Sequence, residues 1–357
     1  MRMDKKISTL SVASTVAGAF IGAGFASGSE LWQFFGTFGK TGVVTMLLSL
    51  FMLCIICILF TRYCKSTESF YLDTAVFKNA PKPTNTVFCS LELLLYFFLS
   101  VIMTSGFIAL ANSFVDKKLA LILGLIFAVF TGISLYFGLS GLVKLFSAFI
   151  PLLVLATVVI SAVTLLKNGI VIPESKAVSS NNPLLKIPVL SCFLSLSYNF
   201  FGSVGILAPL SKSAKSSRQL TVASILGILF LTLIALSILL AIFSSGTQSE
   251  PLPMLEIAKR VNPVVGIIYA VLLASAMFGC SYSSSVCMIL FVEKRALHTK
   301  LKKILFILIY VAVVYTVSLL GFTDLISTVY PIFGYVGFVL IIAVVYNSIA
   351  NRRKRNV

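Results

Sequence analysis

Gly18-Ala19-Phe20-Ile21-Gly22-Ala23-Gly24-Phe25-Ala26-Ser27-Gly28-Ser29-Glu30 is the stretch on which the reading of the chain turns. It lies inside an apolar run from Ile7 to Phe38, where a membrane helix should be most regular. Four glycines (Gly18, Gly22, Gly24, Gly28) and two serines (Ser27, Ser29) are crowded into it. Each glycine costs a helix about 1 kcal/mol relative to alanine. At membrane depth, freed peptide groups are tolerated only where they meet protein, water or a ligand. One reading is close packing of small residues, since Gly18 and Gly22 form G-x-x-x-G. The added Gly24 and the A-S-G-S that follows exceed what packing needs, so a helix broken midway is the expectation.

The rest of the chain sets the class. Its 357 residues are 59% hydrophobic and 11% charged, with a mean hydropathy of +1.06. Apolar runs of about twenty residues, the length that crosses a hydrocarbon core, recur throughout. An all-α polytopic membrane protein with a single membrane domain is expected. The basic start before an apolar run resembles a signal peptide, but the run is too long and contains the glycine cluster, so no cleavage is expected. The seven cysteines (Cys54, Cys57, Cys64, Cys89, Cys192, Cys280, Cys287) lie mostly within apolar runs. They read as small buried hydrophobes and not as a disulfide framework.

About ten spans are expected: residues 7–38, 41–61, 86–114, 119–137, 139–166, 187–210, 220–244, 263–291, 304–320 and 325–350. The basic residues sort by face on this count. On the side of the N-terminus fall Arg2, Lys5, Lys6, Arg62, Lys65, Lys78, Lys82, Lys212, Lys215, Arg218, Lys294, Arg295, Lys300, Lys302, Lys303, Arg352, Arg353, Lys354 and Arg355. Opposite fall Lys40, Lys117, Lys118, Lys167, Lys176, Lys186, Lys259 and Arg260. This excess predicts a plasma-membrane protein with both termini cytoplasmic. Anionic lipid, not nucleic acid, accounts for the net charge of +17. Residues 251–260, P-L-P-M-L-E-I-A-K-R, predict a short surface helix capping the outer face. The polar segment from Asn168 to Lys186 reads as a flexible connector.

Span six repeats the character of span one. Gly202, Gly205 and Pro209 interrupt it, and Ser195, Ser197, Asn199 and Ser203 add polar groups. Spans one and six open successive groups of five, and an odd number of crossings inverts the second group. Interrupted segments at matching positions of two halves point to an inverted-repeat transporter with its site at the midplane. The halves are expected over residues 1–167 and 186–351, with helices 1 and 6 both discontinuous.

G-A-F-I-G-A-G-F in span one resembles the first-helix motif of amino acid–polyamine–organocation permeases, which share the LeuT-type five-plus-five fold. The longer A-G-A-F-I-G-A-G-F-A-S-G-S-E-L-W-Q-F-F resembles the YkvI-like family of bacterial membrane proteins, over the whole chain in length and span number. Two departures from the permeases stand out. Their two additional C-terminal helices are not found, and Ser203 follows Gly202 where an acidic residue is frequent.

Unwinding between Ile21 and Ser27 would expose the N–H groups of Gly22, Ala23 and Gly24, a seat for a carboxylate. Carbonyls of Gly18 to Ile21 would suit an ammonium or metal cation. The resemblance implies the same assignment for an amino acid. The substrate-binding candidates are therefore Phe20, Ile21, Gly22, Ala23, Gly24, Phe25 and Ser27, with Tyr198, Asn199, Phe200, Gly202 and Ser203 opposite. The aromatic content, Phe201 included, favours a small, partly hydrophobic zwitterion. For the span-six residues, packing is an equal reading.

The resemblance also implies coupling sites. Ser283 and Ser284 would complete a sodium site with the carbonyls of Gly18 and Ile21; packing within their own helix is the alternative. Lys144 would instead place an ammonium there, leaving proton coupling or none; snorkelling to the headgroups is the alternative. Glu92 could pair with Lys144 or face the inner cavity. Glu30 could gate the outer vestibule or carry a proton. Charge at this depth is a functional signal by default. No cofactor is expected beyond Na+ or H+, and no firm metal site.

Other classes fit less well. The one histidine, His298, sits in a basic loop, and Asp4, Asp73, Asp116 and Asp324 fall in loops or at span ends. No constellation for intramembrane proteolysis is left, so an enzyme is not expected. A channel and a transporter-like sensor remain the alternatives to a secondary transporter of a small organic solute, an amino acid or related amine.

Overall fold

The computed structural model describes residues 7–70, 82–135, 138–174, 182–293 and 299–355. His298, Lys176 and most of the loop carrying Pro81 lie outside these residues. The described residues form helices: α1 Thr9–Gly18, α2 Ala23–Ser27, α3 Ser29–Phe34, α4 Gly39–Thr67, α5 Lys82–Asn112, α6 Lys117–Ser134 and α7 Gly138–Asn168. The second half continues with α8 Pro188–Ser213, α9 Ser217–Ser245, α10 Pro253–Val261, α11 Pro263–Glu293, α12 Lys300–Ser318 and α13 Phe322–Arg355. Helices α1–α3 together make the first crossing. Nine stretches among the described residues are long and apolar enough to cross a membrane, the first of them, Ser29–Thr67, taking in α3; Thr9–Gly18 is a shorter apolar helix. The protein is an all-α polytopic membrane protein.

Its outer surface is built for lipid. On α4, Val44, Leu48, Phe51 and Ile55 are exposed, a spacing that puts them on one stripe of the helix. On α6, Ile122, Ile126, Phe130 and Ile133 do the same. Polar caps hold the ends. The Asp116 carboxylate accepts from the N–H groups of Lys118 and Leu119, and Thr299 caps α12 through the Lys302 N–H. Such caps satisfy donors that the first turn leaves open. The expected surface helix is present as α10.

Helix pairing carries an internal exchange symmetry. Span one packs on spans five and seven, and span six packs on spans ten and two. Spans three and eight pair directly. Span five also meets span eight as span ten meets span three. Swapping each span with its partner five places on leaves these contacts in place. That is what an inverted repeat requires.

The first crossing is interrupted as expected. Its helix stops at Gly18, resumes at Ala23 after an extended Gly22 (φ −108°, ψ −172°), and breaks again at Gly28, whose φ is +87°. Span six is not. Helix α8 runs unbroken from Pro188 to Ser213, so the expectation of a discontinuous helix 6 is corrected. Three of its polar side chains return to their own helix. Asn199 donates to the Ser195 carbonyl, Ser203 to Phe200 and Ser211 to Ala208. Its glycines admit neighbours: Leu95 and Leu99 lie over Gly202, and the Tyr96 hydroxyl fills the place of a side chain at Gly205.

The connector is tied at its start. Lys40 pairs with Glu174, and its N–H donates to the Pro173 carbonyl. The ammonium holds the Glu174 carboxyl below its ordinary range. Residues 175–181 lie outside the described part.

Gly28→Ala and Gly169→Ala both place a side chain in the left-handed region, at a backbone cost of roughly 1–2 kcal/mol. A Cβ at Gly28 would also sit 2.7 Å from Ile238 and Ile242, whereas Gly169 faces open space. Thermal unfolding in detergent should show the larger loss at Gly28. Equal losses would contradict the packing described.

Candidate functional site

A tight cavity lies beside the break. Its walls are Ala19, Phe20 and Gly22 from the interrupted segment, Glu30 from α3, Leu99 from α5, Tyr198, Asn199 and Gly202 from α8, Cys280 from α11 and Tyr330 from α13. Its free volume is about 30 Å³, room for about two waters.

The backbone around it is arranged by the break. The Ala23 N–H donates to the Met103 sulfur at 3.1 Å. A thioether is a weak acceptor on a flexible chain, so this donor is only lightly held. The Ala26 carbonyl accepts from the Tyr269 hydroxyl at 2.8 Å, which anchors α2 to α11. Phe20 and Ile21 both donate to the Ala17 carbonyl, tightening the end of α1.

Glu30 is 4% exposed. Its carboxyl reaches back over Gly24 and shares the cavity wall with Asn199. Among the described residues no cation forms an ion pair with it. Tyr198 stacks on Tyr330, with centroids 4.6 Å apart and planes 10° apart. The buried Tyr198 hydroxyl has no hydrogen-bond partner.

The expected residues divide. Phe20, Gly22, Tyr198, Asn199, Gly202 and Glu30 meet at the cavity. Ile21, Ala23, Gly24, Phe25, Ser27, Phe200 and Ser203 are buried but are not among its walls. Phe200 packs edge-on against Phe60. Ser27 donates to the Gly24 carbonyl and accepts from the Ser29 N–H. Phe201 lies against Phe88 and Phe333.

The coupling candidates other than Glu30 lie outside the cavity walls. Ser283 and Ser284 both donate to the Cys280 carbonyl at 2.8 Å. Gly18 and Gly279 face the two sides of the Phe146 ring. Lys144 is exposed, which corrects its assignment to a buried cation position. Residues 144 and 146 are about 200° apart around a helix, and Phe146 takes the inward face. Glu92 does not pair with Lys144. It accepts from the Tyr96 hydroxyl at 2.6 Å, and that oxygen accepts from the Gly205 N–H at 2.8 Å. No group of three or more His, Cys, Asp or Glu suited to a metal occurs among the described residues.

Ala19, Leu99, Cys280 and Tyr330 were not expected at the site. Tyr330, a phenol in mid-span directly before Pro331, and Cys280, at the head of the serine run, carried a weak signal. Leu99 carried none.

The two tyrosines should separate on substitution. Tyr96→Phe strips Glu92 of its hydroxyl donor, a loss of about 1–3 kcal/mol. Tyr198→Phe removes a hydroxyl that has no partner and should leave thermal stability unchanged. A Tyr198→Phe protein as unstable as Tyr96→Phe would contradict these environments.

No family model matches the chain. Along its length it is similar to YkvI, a membrane protein of Bacillus subtilis (strain 168), at 24% identity over 98% of this chain and 99% of the relative. YyaD of the same organism is 23% identical over 95% of this chain and 96% of the relative. Among solved structures, MhsT in complex with L-phenylalanine superposes with a TM-score of 0.69 at 16% identity, covering 97% of this chain and 93% of MhsT. The Eremococcus coleocola manganese transporter gives 0.58 at 14% identity, over 95% and 85% of the two chains. Mhp1, a nucleobase-cation-symport-1 family transporter with bromovinylhydantoin bound, gives 0.54 at 13% identity, over 89% and 72%. The chain is thus a polytopic membrane protein of LeuT-type fold, similar from end to end to YkvI.

Proposed function

We propose that this protein is a secondary transporter moving a small organic solute, an amino acid or related amine, by alternating access. The observation that carries the reading is the cavity between an interrupted first helix and span six, with both peptide groups and aromatic rings on its walls. Interrupted helices at a repeat interface are where such carriers bind solute. Structures with this fold include MhsT with L-phenylalanine and Mhp1 with bromovinylhydantoin. The Ala23 N–H, held only by the Met103 sulfur, is a backbone donor that a polar atom of the solute could take over. Ile21, Phe25, Ser27, Phe200 and Ser203 back these walls. The cavity is smaller than an amino acid, so Met103 and the ring of Phe20 must move on binding.

The cytoplasmic placement of both termini rests on the asymmetry of basic loops. For coupling, a proton held at Glu30 is favoured by its place in the cavity without a cation. Sodium at Gly18, Ile21, Ser283 and Ser284 is the second reading. It is favoured by two buried hydroxyls, Ser283 and Ser284, on α11.

Purified protein in proteoliposomes tests this. Saturable uptake with counterflow is expected for a carrier, linear flux for a channel, and binding without flux for a sensor. Uptake should follow a pH gradient and survive replacement of sodium by potassium. Lys144→Ala should leave it unchanged, because that side chain is exposed. A steep sodium requirement would overturn proton coupling and favour the serine site.

A further inference from the structure

Glu30 and Tyr198 pose the same problem from two elements. Both are nine-tenths or more buried, both line the cavity, and neither is electrostatically satisfied. A carboxyl excluded from water is tolerated as an anion only when a cation or several donors sit against it. Asn199 shares the cavity wall with it, and its amide donates to the Ser195 carbonyl. The titratable groups facing Glu30 are Tyr198 on α8, Cys280 on α11 and Tyr330 on α13. Leu99 on α5 and Ile326 on α13 are apolar, as are Ile238 and Ile242 on α9 beside Gly28. Within the described residues the protein supplies no positive charge.

The opposite side of the cavity suits a cation. Phe20, Tyr198 and Tyr330 line it; Tyr198 is packed against Tyr330 and Phe34, which leaves Phe20 and Tyr330 as the aromatic wall for an ammonium, whose attraction to a ring is stronger where water is excluded. The Tyr198 hydroxyl, free of any partner, can accept a hydrogen bond from an N–H. Carboxyl, rings and vacant hydroxyl oxygen together form a receptor for one protonated amine.

We infer that the solute is an organic monocation, a protonated amine, whose ammonium pairs with Glu30 and exchanges there for a proton. The inference rests on the transporter reading and deepens it. The exchange balances: the Glu30 carboxylic acid loses H+ to solvent as R–NH3+ enters, leaving a neutral carboxylate–ammonium pair. No bond in the amine is made or broken. The cavity holds either the proton or the amine, so the two move in opposite senses across the membrane. A zwitterion brings an extra carboxylate toward Glu30 and is disfavoured. A neutral isostere leaves the acid unchanged and gains no ion pair.

Three probes that share one hydrocarbon test this: 3-methylbutylamine, L-leucine and 3-methylbutan-1-ol. Binding to the purified full chain in detergent is measured by calorimetry in two buffers of different ionisation enthalpy. The amine should bind at least tenfold tighter than either partner and release one proton per molecule bound. Its affinity should rise by up to about tenfold per pH unit while Glu30 is protonated. Glu30→Gln should abolish proton release and weaken the amine at least tenfold; Glu30→Asp should keep the release. Tyr198→Phe should weaken the amine with proton release intact, and it serves if Glu30→Gln does not fold. Leucine or the alcohol binding as tightly, no amine binding, absent proton release, or full affinity in Glu30→Gln would each overturn the inference. Flux distinguishes the two levels. Uptake of a neutral or zwitterionic solute without proton exchange ends the inference and leaves the carrier intact. Amine binding with proton release but no flux in liposomes ends the carrier and leaves the site.

Discussion

Peptide groups that leave a helix inside a bilayer must find partners without water, and the first crossing leaves several. The structure meets that demand from three directions. Met103 on span three takes the Ala23 N–H, Tyr269 on span eight takes the Ala26 carbonyl, and Gly28 adopts the left-handed turn that lets α3 begin. Those side chains reach α2 only because spans three and eight pack together behind it. A second network bolts the same scaffold: Ser100, Ser285 and Tyr310 share hydrogen bonds between spans three, eight and nine. The interruption is therefore held by a rigid wall and is not a slack segment.

The two buried glutamates show how differently one residue type is used. Glu92 is closed in a chain with Tyr96 and the Gly205 N–H, linking two helices. Glu30 is left on the wall of a small cavity with no ion-pair partner among the described residues. A satisfied polar network rigidifies what it joins. An open one costs folding energy, and such sites are where proteins keep function. The contrast places the adaptable chemistry at the break and the structural chemistry one layer away.

Local composition carried much of the architecture. Ten apolar runs and a glycine cluster in the first are properties of adjacent residues, and they read correctly. The fate of glycines in span six was not local. Whether Gly202 and Gly205 break a helix or admit a neighbour depends on Leu95, Tyr96 and Leu99, a hundred residues earlier. Lys144 misled for a related reason. Its place in the chain put it near the cation region, but helical rotation turned Phe146 inward instead. Most of the cavity wall was legible because it came from the two glycine-bearing segments. Leu99, Cys280 and Tyr330 arrive from three other spans, and only the packing of the bundle brings them together.

Pro209 removes the N–H that the Gly205 carbonyl would otherwise accept from, while the Gly205 N–H is engaged by Tyr96 from outside the helix. One residue of α8 thus has a carbonyl left out of the regular ladder and an N–H bonded to a side chain of another helix, in a rod that stays continuous. A bend at that point costs little within α8 itself. It is instead gripped by a phenol belonging to another crossing, so the two spans must tilt as a linked pair, with Tyr96 as the pin.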